Sequence, residues 1–312
     1  METLKQFKAL SDPTRLRLLN MLNYFELNVN EIVSIVGMIQ SGISRHLKIL
    51  MESGLLESRK DGSFMYYSAS RNPVQRPLIE LACARVAEEP LCRADLQKAE
   101  QSIDIRKNRT KRFFRTVAPQ WDRLKREVLG DFDLNQVLLE NVHAQGSVAD
   151  LGCGTGEMLS ALNRDPSHTL IGVDSSPEML EQAKIRLCDT GSIELRLGEV
   201  EYLPMKDQEV DAAVMSMVLY HIVEPEKAIA EVHRVLRPGG KFLLADFECH
   251  NQEEIKEIIG GTWMGFETRQ IEEWMAQTGF TLEAFKRYKV EKGLYIHLFS
   301  VVKNAESNKE LI

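Results

Sequence analysis

The sequence predicts an α/β chain in two parts: an N-terminal winged helix-turn-helix, then a mainly parallel seven-stranded sheet with a terminal antiparallel hairpin. Three observations carry this. Apolar residues recur at helical spacing from Leu4 to Ser53 and give way to strand-like runs joined by Asp61-Gly62, a two-residue hairpin signal. From Val148 onward, short apolar strands alternate with helical segments, a pattern that specifies a parallel sheet with helices on both faces. Two further strand-like runs, Thr281 to Val290 and Tyr295 to Lys303, close around Gly293.

At 312 residues the chain is roughly twice a common domain length. It is expected to divide into 1–77, a winged helix-turn-helix; 78–128, a helical dimerisation or connector region; 129–304, the parallel-sheet domain; and 305–312, a tail. The net charge of −7 argues against a uniformly basic nucleic-acid binder, yet Arg106 to Arg126 is locally basic. Neither a signal region nor a long uncharged apolar run is present, so a cytoplasmic chain with no membrane partner is expected. Five scattered cysteines without a CxxC pair argue against a disulfide framework.

In the first part, Ser11 is expected to cap a helix that has Pro13 in its first turn, and Asn30 to cap another that stops at Gly37. A helix from about Ser41 to Ser53 turns Ile43, Leu47 and Leu50 inward. Gln40, Ser41, Ser44, Arg45, His46 and Lys48 are left outside. Short polar and cationic side chains at the start of such a helix suit base edges and phosphates in a major groove, and Arg59 and Lys60 are expected to arm the hairpin beside it. The alternative is a solvated charged face. Helical patterns resume from Leu78 to Ala87 and after Pro90.

In the second part, strands are expected at Ser147–Leu151, Thr169–Asp174, Ile193–Leu197, Val210–Met215 and Lys241–Ala245. The first runs into Asp150-Leu151-Gly152-Cys153-Gly154-Thr155-Gly156, a loop whose glycines let a ligand lie against the backbone. Asp174 ends the next strand, placed to accept hydrogen bonds from both hydroxyls of a ribose. A nucleoside is the ligand this pair favours. Glu157 stands where a dinucleotide fingerprint continues toward its third glycine, which disfavours NAD.

Val148 to Gly156 resembles motif I of the class I S-adenosylmethionine-dependent methyltransferases, with a Rossmann-like fold. The resemblance covers about half the chain and implies S-adenosyl-L-methionine as cofactor. Carried over residue by residue, it implies Asp150, Gly152, Cys153, Gly154 and Gly156 in the loop, Asp174 and Ser175 at the ribose, and Met179 over the adenine. It also implies Glu199 and Val200 at the adenine edge, where most relatives carry Asp-Ala, and Met217 after the fourth strand. His221 lies where substrates meet the methyl group. A neutral imidazole there can accept a proton, or simply pack on the following helix. The implied acceptor is a small molecule in an apolar pocket, with Trp121, Tyr220, Trp263 and Phe266 as candidate lining. No Asn-Pro-Pro-Tyr type segment and no set of three placed cysteines is present, which disfavours base methylation and arsenic chemistry.

Phe7 to Leu19 and Gln40 to Leu50 resemble the ArsR/SmtB family of winged-helix repressors, over roughly the first 80 residues. That resemblance implies a homodimer on a double-stranded DNA operator, with Leu78 to Ala87 as the dimer-forming helix. The Cys-x-Cys metal site of many relatives is replaced by Glu26 to Asn30, so no metal is expected, although Cys83 and Cys92 leave a soft-metal site open. Arg112 to Leu124 and Thr262 to Phe266 resemble proteins in which the two domains are fused. The expected function is a DNA-binding transcriptional regulator whose C-terminal domain methylates a small molecule. Two alternatives stand beside it. One is a non-catalytic sensor of S-adenosylmethionine and S-adenosylhomocysteine; the other is a plain methyltransferase whose winged helix only dimerises.

Overall fold

A computed structural model describes residues 1–62, 64–142, 146–165, 167–188 and 193–304. The expected tail, 305–312, lies outside them, as does Ser63, expected to begin the second strand of the wing. The chain forms two compact units, Met1–Arg106 and Lys107–Ile312. Their boundary falls inside one helix, so the expected connector is divided between them.

The first unit contains α1 (Glu2–Leu10), α2 (Pro13–Leu22), β1 (Leu27–Asn28), α3 (Val29–Val36), α4 (Gln40–Glu52), β2 (Leu56–Asp61), β3 (Phe64–Ala69), α5 (Arg76–Val86) and the first half of α6 (Pro90–Val117). Two caps differ from expectation. Asp12, not Ser11, caps α2 by accepting from the backbone N–H of Arg15. Asn28, not Asn30, caps α3, and Glu31 closes a capping box by accepting from the Asn28 N–H. The reason is β1, two residues that pair with Tyr67 and Tyr66 of β3 and hold Asn28 extended at the helix entrance. Ile43, Leu47 and Leu50 of α4 are buried as expected, against a core that includes Leu18, Leu22, Ile32 and Ile79.

The second unit opens with the rest of α6, followed by α7 (Trp121–Leu129) and α8 (Leu134–Leu139). Alternating elements follow: β4 (Gly146–Leu151), α9 (Glu157–Leu162), β5 (His168–Asp174), α10 (Pro177–Arg186), β6 (Glu194–Leu197), β7 (Val210–Ser216), α11 (Pro225–Val235) and β8 (Leu236–Phe247). After α12 (Glu253–Ile259) and α13 (Thr268–Thr278), β9 (Phe280–Lys289) and β10 (Tyr295–Lys303) form the terminal hairpin.

The seven strands run in the order β6-β5-β4-β7-β8-β10-β9. β4 pairs in parallel with both β5 and β7, while β10 is antiparallel to β8 and β9. Successive strands leave β4 first to one side and then to the other, so a crevice opens beyond its C-terminal end, where open α/β sheets take ligands. Buried-strand patterning is strongest there: Val148, Ala149, Leu151, Val173, Ala213 and Val214 have almost no exposure. Among the described residues no helix is long and apolar enough to cross a membrane.

Candidate functional site

The crevice encloses about 870 Å³ of empty space, its open mouth included. Asp150, Gly152, Cys153, Gly154, Asp174, Ser175, Met179, Glu199, Val200, Met217 and His221 all line it. Of the expected cofactor residues, only Gly156 is missing from the lining. At φ +78° it caps α9, and a Cβ there would meet Ala183 and Leu187 at 3.2 Å, so its work is helix packing. Gly152 is needed for both reasons: φ is +75°, and a Cβ would lie 2.5 Å from Val218 Cγ2. The N–H groups of Gly152 and Cys153 both donate to the Val173 carbonyl, which pins the loop to the end of β5. Met217 adopts φ +60°, uncommon for a side chain of its size, and its N–H donates to Ala245 O at 2.8 Å.

Two acids dominate the floor. Asp174 accepts from the N–H of Gly154 and of Ser176, each at 2.8 Å, and burial raises its pKa. Asp150 is 2% exposed, and burial pushes its pKa up to about 7, against the pull of Lys125. Its Oδ2 is buried without a hydrogen-bond partner. Such an oxygen in a cavity wall is costly unless a ligand satisfies it. S-adenosylmethionine, cationic at its sulfur and its amino group, fits this acid floor.

His221 sits on a short 3₁₀ turn after β7, 6% exposed. Its Nδ1 is 3.2 Å from the Gly260 carbonyl, which can only accept, so Nδ1 carries the proton and Nε2 keeps its lone pair. Burial takes the ring's pKa down to about 3, which leaves it neutral. Of the expected aromatic lining, only Trp121 reaches the cavity, joined by Phe114. Tyr220, Trp263 and Phe266 are core: each is almost fully buried, and Trp263 Nε1 donates to Ile222 O. Aromatic residues fill cores as readily as pockets, so their type alone could not sort them.

Lys125, Asn135, Thr110, Glu157 and Glu201 also line the cavity and were missed. Thr110, Lys125 and Asn135 sit on α6 to α8, where no motif marks them; Glu157 and Glu201 adjoin the glycine loop and the adenine-edge residues but had no role expected of them. Much of the basic run is spent on acids of this unit. Lys107 lies 3.4 Å from both Glu201 and Glu224, Lys111 is 2.6 Å from Glu199, Arg115 is 3.3 Å from Glu178, and Lys125 pairs with Glu157. Arg186 and the Thr155 hydroxyl both engage Asp122, bracing the glycine loop against α7.

In the first unit, Gln40, Ser41, Ser44, Arg45 and Lys48 are exposed on α4, and Lys60 is exposed on β2. His46 is turned inward instead, with Nδ1 3.7 Å from Asp12 at the start of α2. Arg59 departs from expectation too. Its guanidinium makes two bonds to Glu26, at 3.0 and 3.1 Å, and stacks over Tyr66, so it braces the wing. Adjacent strand residues face opposite sides, which is why Lys60 is free to solvent while Arg59 is not. Arg106 closes the same network by pairing with Glu31 of the capping box and stacking on Tyr66. The Cys83 thiol is pushed up to about 11 by burial, and Cys92 is raised by burial as well.

Residues 149–244 match the family model described as a methyltransferase domain, and residues 12–58 match that of the bacterial regulatory protein, arsR family. A ubiquinone/menaquinone biosynthesis C-methyltransferase of Geobacter sp. is 29% identical over 182 residues, 52% of this chain and 77% of its own length. An arsenite methyltransferase of Halobacterium salinarum is 36% identical over 104 residues, 32% of this chain and 27% of its own. The chain spans less than half the length of several curated relatives it matches. Among solved structures, a Haloferax volcanii methyltransferase in complex with the Trm112 activator superposes with a TM-score of 0.56. It is 20% identical, and the match covers 64% of this chain and 99% of that one.

Proposed function

We propose that this chain, an arsR-family winged helix joined to an S-adenosylmethionine-dependent methyltransferase domain, is a homodimeric DNA-binding regulator whose second unit methylates a small molecule. The observation that carries the reading is the unpartnered Asp150 carboxylate beside Asp174 at the glycine loop. When bound, the cofactor supplies an electrophilic methyl group, and the transfer needs an aligned nucleophile and exclusion of water. Asp150 would hold a cationic part of the cofactor, Asp174 the ribose hydroxyls, and Met179 and Val200 the adenine faces. His221 Nε2 would accept a hydrogen bond from the acceptor's nucleophile and orient it toward the methyl group, the ring staying neutral because burial disfavours its protonated form.

For the first unit, exposed Gln40, Ser41, Ser44, Arg45 and Lys48 on α4 supply donors for a major groove, with Lys60 beside them. Leu4 and Phe7 of α1, Leu81 of α5 and Leu91 of α6 are each roughly half exposed or more, apolar surface that a second copy would cover.

A sensor without turnover is the second reading. It is favoured by α6, one helix that supplies Arg106 to the wing network of the first unit and Thr110 and Phe114 to the cavity of the second. Incubation with methyl-labelled cofactor and cell extract, alongside gel shifts on the upstream DNA with S-adenosylmethionine, S-adenosylhomocysteine or neither, separates the readings. Labelled small-molecule product supports the enzyme. Cofactor-dependent DNA affinity with no product supports the sensor, and no DNA affinity under any condition defeats both regulatory readings.

A further inference from the structure

One wall of the cavity is built from rings. Phe114 and Trp121 meet edge to face with centroids 5.3 Å apart, and His221 lies 4.7 Å from Phe114 and 6.0 Å from Trp121. Ile222 continues the apolar surface. The lysines nearest this wall are committed elsewhere, Lys107 to Glu201 and Glu224 and Lys111 to Glu199. Lys125, which lines the cavity, is likewise paired with Glu157, and ring faces and edges are the surface that planar apolar molecules stack on.

Among the described residues of this wall, one buried acceptor is unsatisfied. His221 Nε2 is buried and has no hydrogen-bond partner, while Nδ1 is held by the Gly260 carbonyl. That carbonyl fixes the tautomer, so Nε2 can accept a hydrogen bond and cannot donate one. Burial keeps the ring neutral across the physiological range. A buried acceptor without a donor is a standing penalty that a ligand O–H or N–H would remove.

We infer that the ring wall is the acceptor subsite, and that it takes a neutral, planar, ring-bearing molecule that donates an O–H or N–H to His221 Nε2. Phe114, half-buried on α6 with its ring against the imidazole, is a ring such a molecule stacks on. Gly260 acts as a positioning residue through its carbonyl. The inference rests on reading the cavity as a methyltransferase site, and it adds the chemistry of what is methylated.

The test uses binding rather than turnover. The full chain is saturated with S-adenosylhomocysteine, whose own affinity is measured by calorimetry, and is then titrated with 2-naphthol, 2-methoxynaphthalene and 2-naphthoate while Trp121 fluorescence is followed. The tryptophan variant Trp121→Phe gives the background from Trp263 and Trp274. 2-Naphthol is expected to bind about threefold to tenfold more tightly than its methyl ether, the span of one net hydrogen bond, and the anion more weakly than either. His221→Phe should bring naphthol and ether to equal affinity. His221→Gln, which keeps an acceptor, should restore part of the difference, and it stands in if the phenylalanine variant does not fold. Equal binding of naphthol and ether to the wild type, tightest binding of the anion, or no binding of any probe at millimolar concentration overturns the inference. Failure of S-adenosylhomocysteine to bind in the calorimeter strikes at the cofactor reading instead, a result read independently of the naphthol series.

Discussion

Replacing Asp150 by Asn should stabilise the ligand-free protein and weaken its hold on the cofactor. Burial carries the Asp150 carboxyl from an ordinary 3.8 to about 7. At about 1.4 kcal/mol per unit of pKa, the ionised side chain costs the ligand-free fold about 4 kcal/mol above pH 7. The sign follows from proton counts. Below pH 3.8 both folded and unfolded chains hold the proton and the penalty is absent. Between 3.8 and 7 the unfolded chain has lost the proton and the folded one keeps it, so stability falls as pH rises, and above 7 the loss is complete. Asn has no proton to lose.

Denaturant unfolding of the two proteins without ligand should therefore give similar stability near pH 4 and an advantage of about 3–4 kcal/mol for Asp150→Asn at pH 8. Asp246, also raised to about 7 by burial, is present in both proteins and cancels in the difference. Cofactor affinity should move the other way. Loss of a charge-assisted contact is worth about 1.5–3 kcal/mol, or roughly tenfold to a hundredfold in Kd. In the wild type, affinity should also rise with pH up to about 7, because the cavity must give up the Asp150 proton to meet a cation, and the variant should lack that slope. A variant less stable than wild type at pH 8, or one that binds the cofactor equally well, would refute this account of the site.

Gly152→Ala should destabilise the second unit by about 2–4 kcal/mol, combining left-handed strain with the Val218 clash, and should abolish calorimetric binding of S-adenosylhomocysteine. Arg45→Ala and Arg59→Ala should separate cleanly. Loss of exposed Arg45 lowers DNA affinity by about 1–3 kcal/mol with little change in thermal unfolding. Loss of Arg59 lowers the melting temperature, because Glu26 is left without its guanidinium. Arg106→Met should destabilise the first unit by about 1–3 kcal/mol, because the Glu31 carboxylate loses its guanidinium and keeps only the Asn28 N–H, measured by denaturant unfolding followed in that unit.

The legible half of the site is the half that one short stretch of backbone delivers. Asp150 lies at the end of β4, and Gly152 to Gly154 lie in the loop directly after it. The parallel register of β4 on β5, with Leu151 opposite Val173, brings Asp174 to the same strand ends, so motif and spacing sufficed to find it. Glu199 and Val200 follow from β6 by the same logic. Tertiary pairing decided what remained. Asn28 displaced Asn30 as a cap because a two-residue strand, too short to leave a periodic trace, fixes its backbone. Arg59 left the wing surface for Glu26, 33 residues earlier in the chain, and no local pattern encodes that partner.

Thr110, Phe114, Lys125 and Asn135 sit on helices whose sequence reads only as amphipathic, and they become cavity walls because those helices line the crevice. The division has a physical reason. A cofactor that meets the backbone demands glycines and a fixed acid, and these leave a signature; an acceptor is met by side chains, which many sequences can supply. The matched methyltransferase stretch begins at residue 149, while most of the ring wall and the ion-paired lysines come from residues before it. On the proposed reading, most of the acceptor's stacking surface therefore comes from upstream of the part that marks the family. His221 joins the two, carried by the family segment and aligned by the Gly260 carbonyl beyond its end.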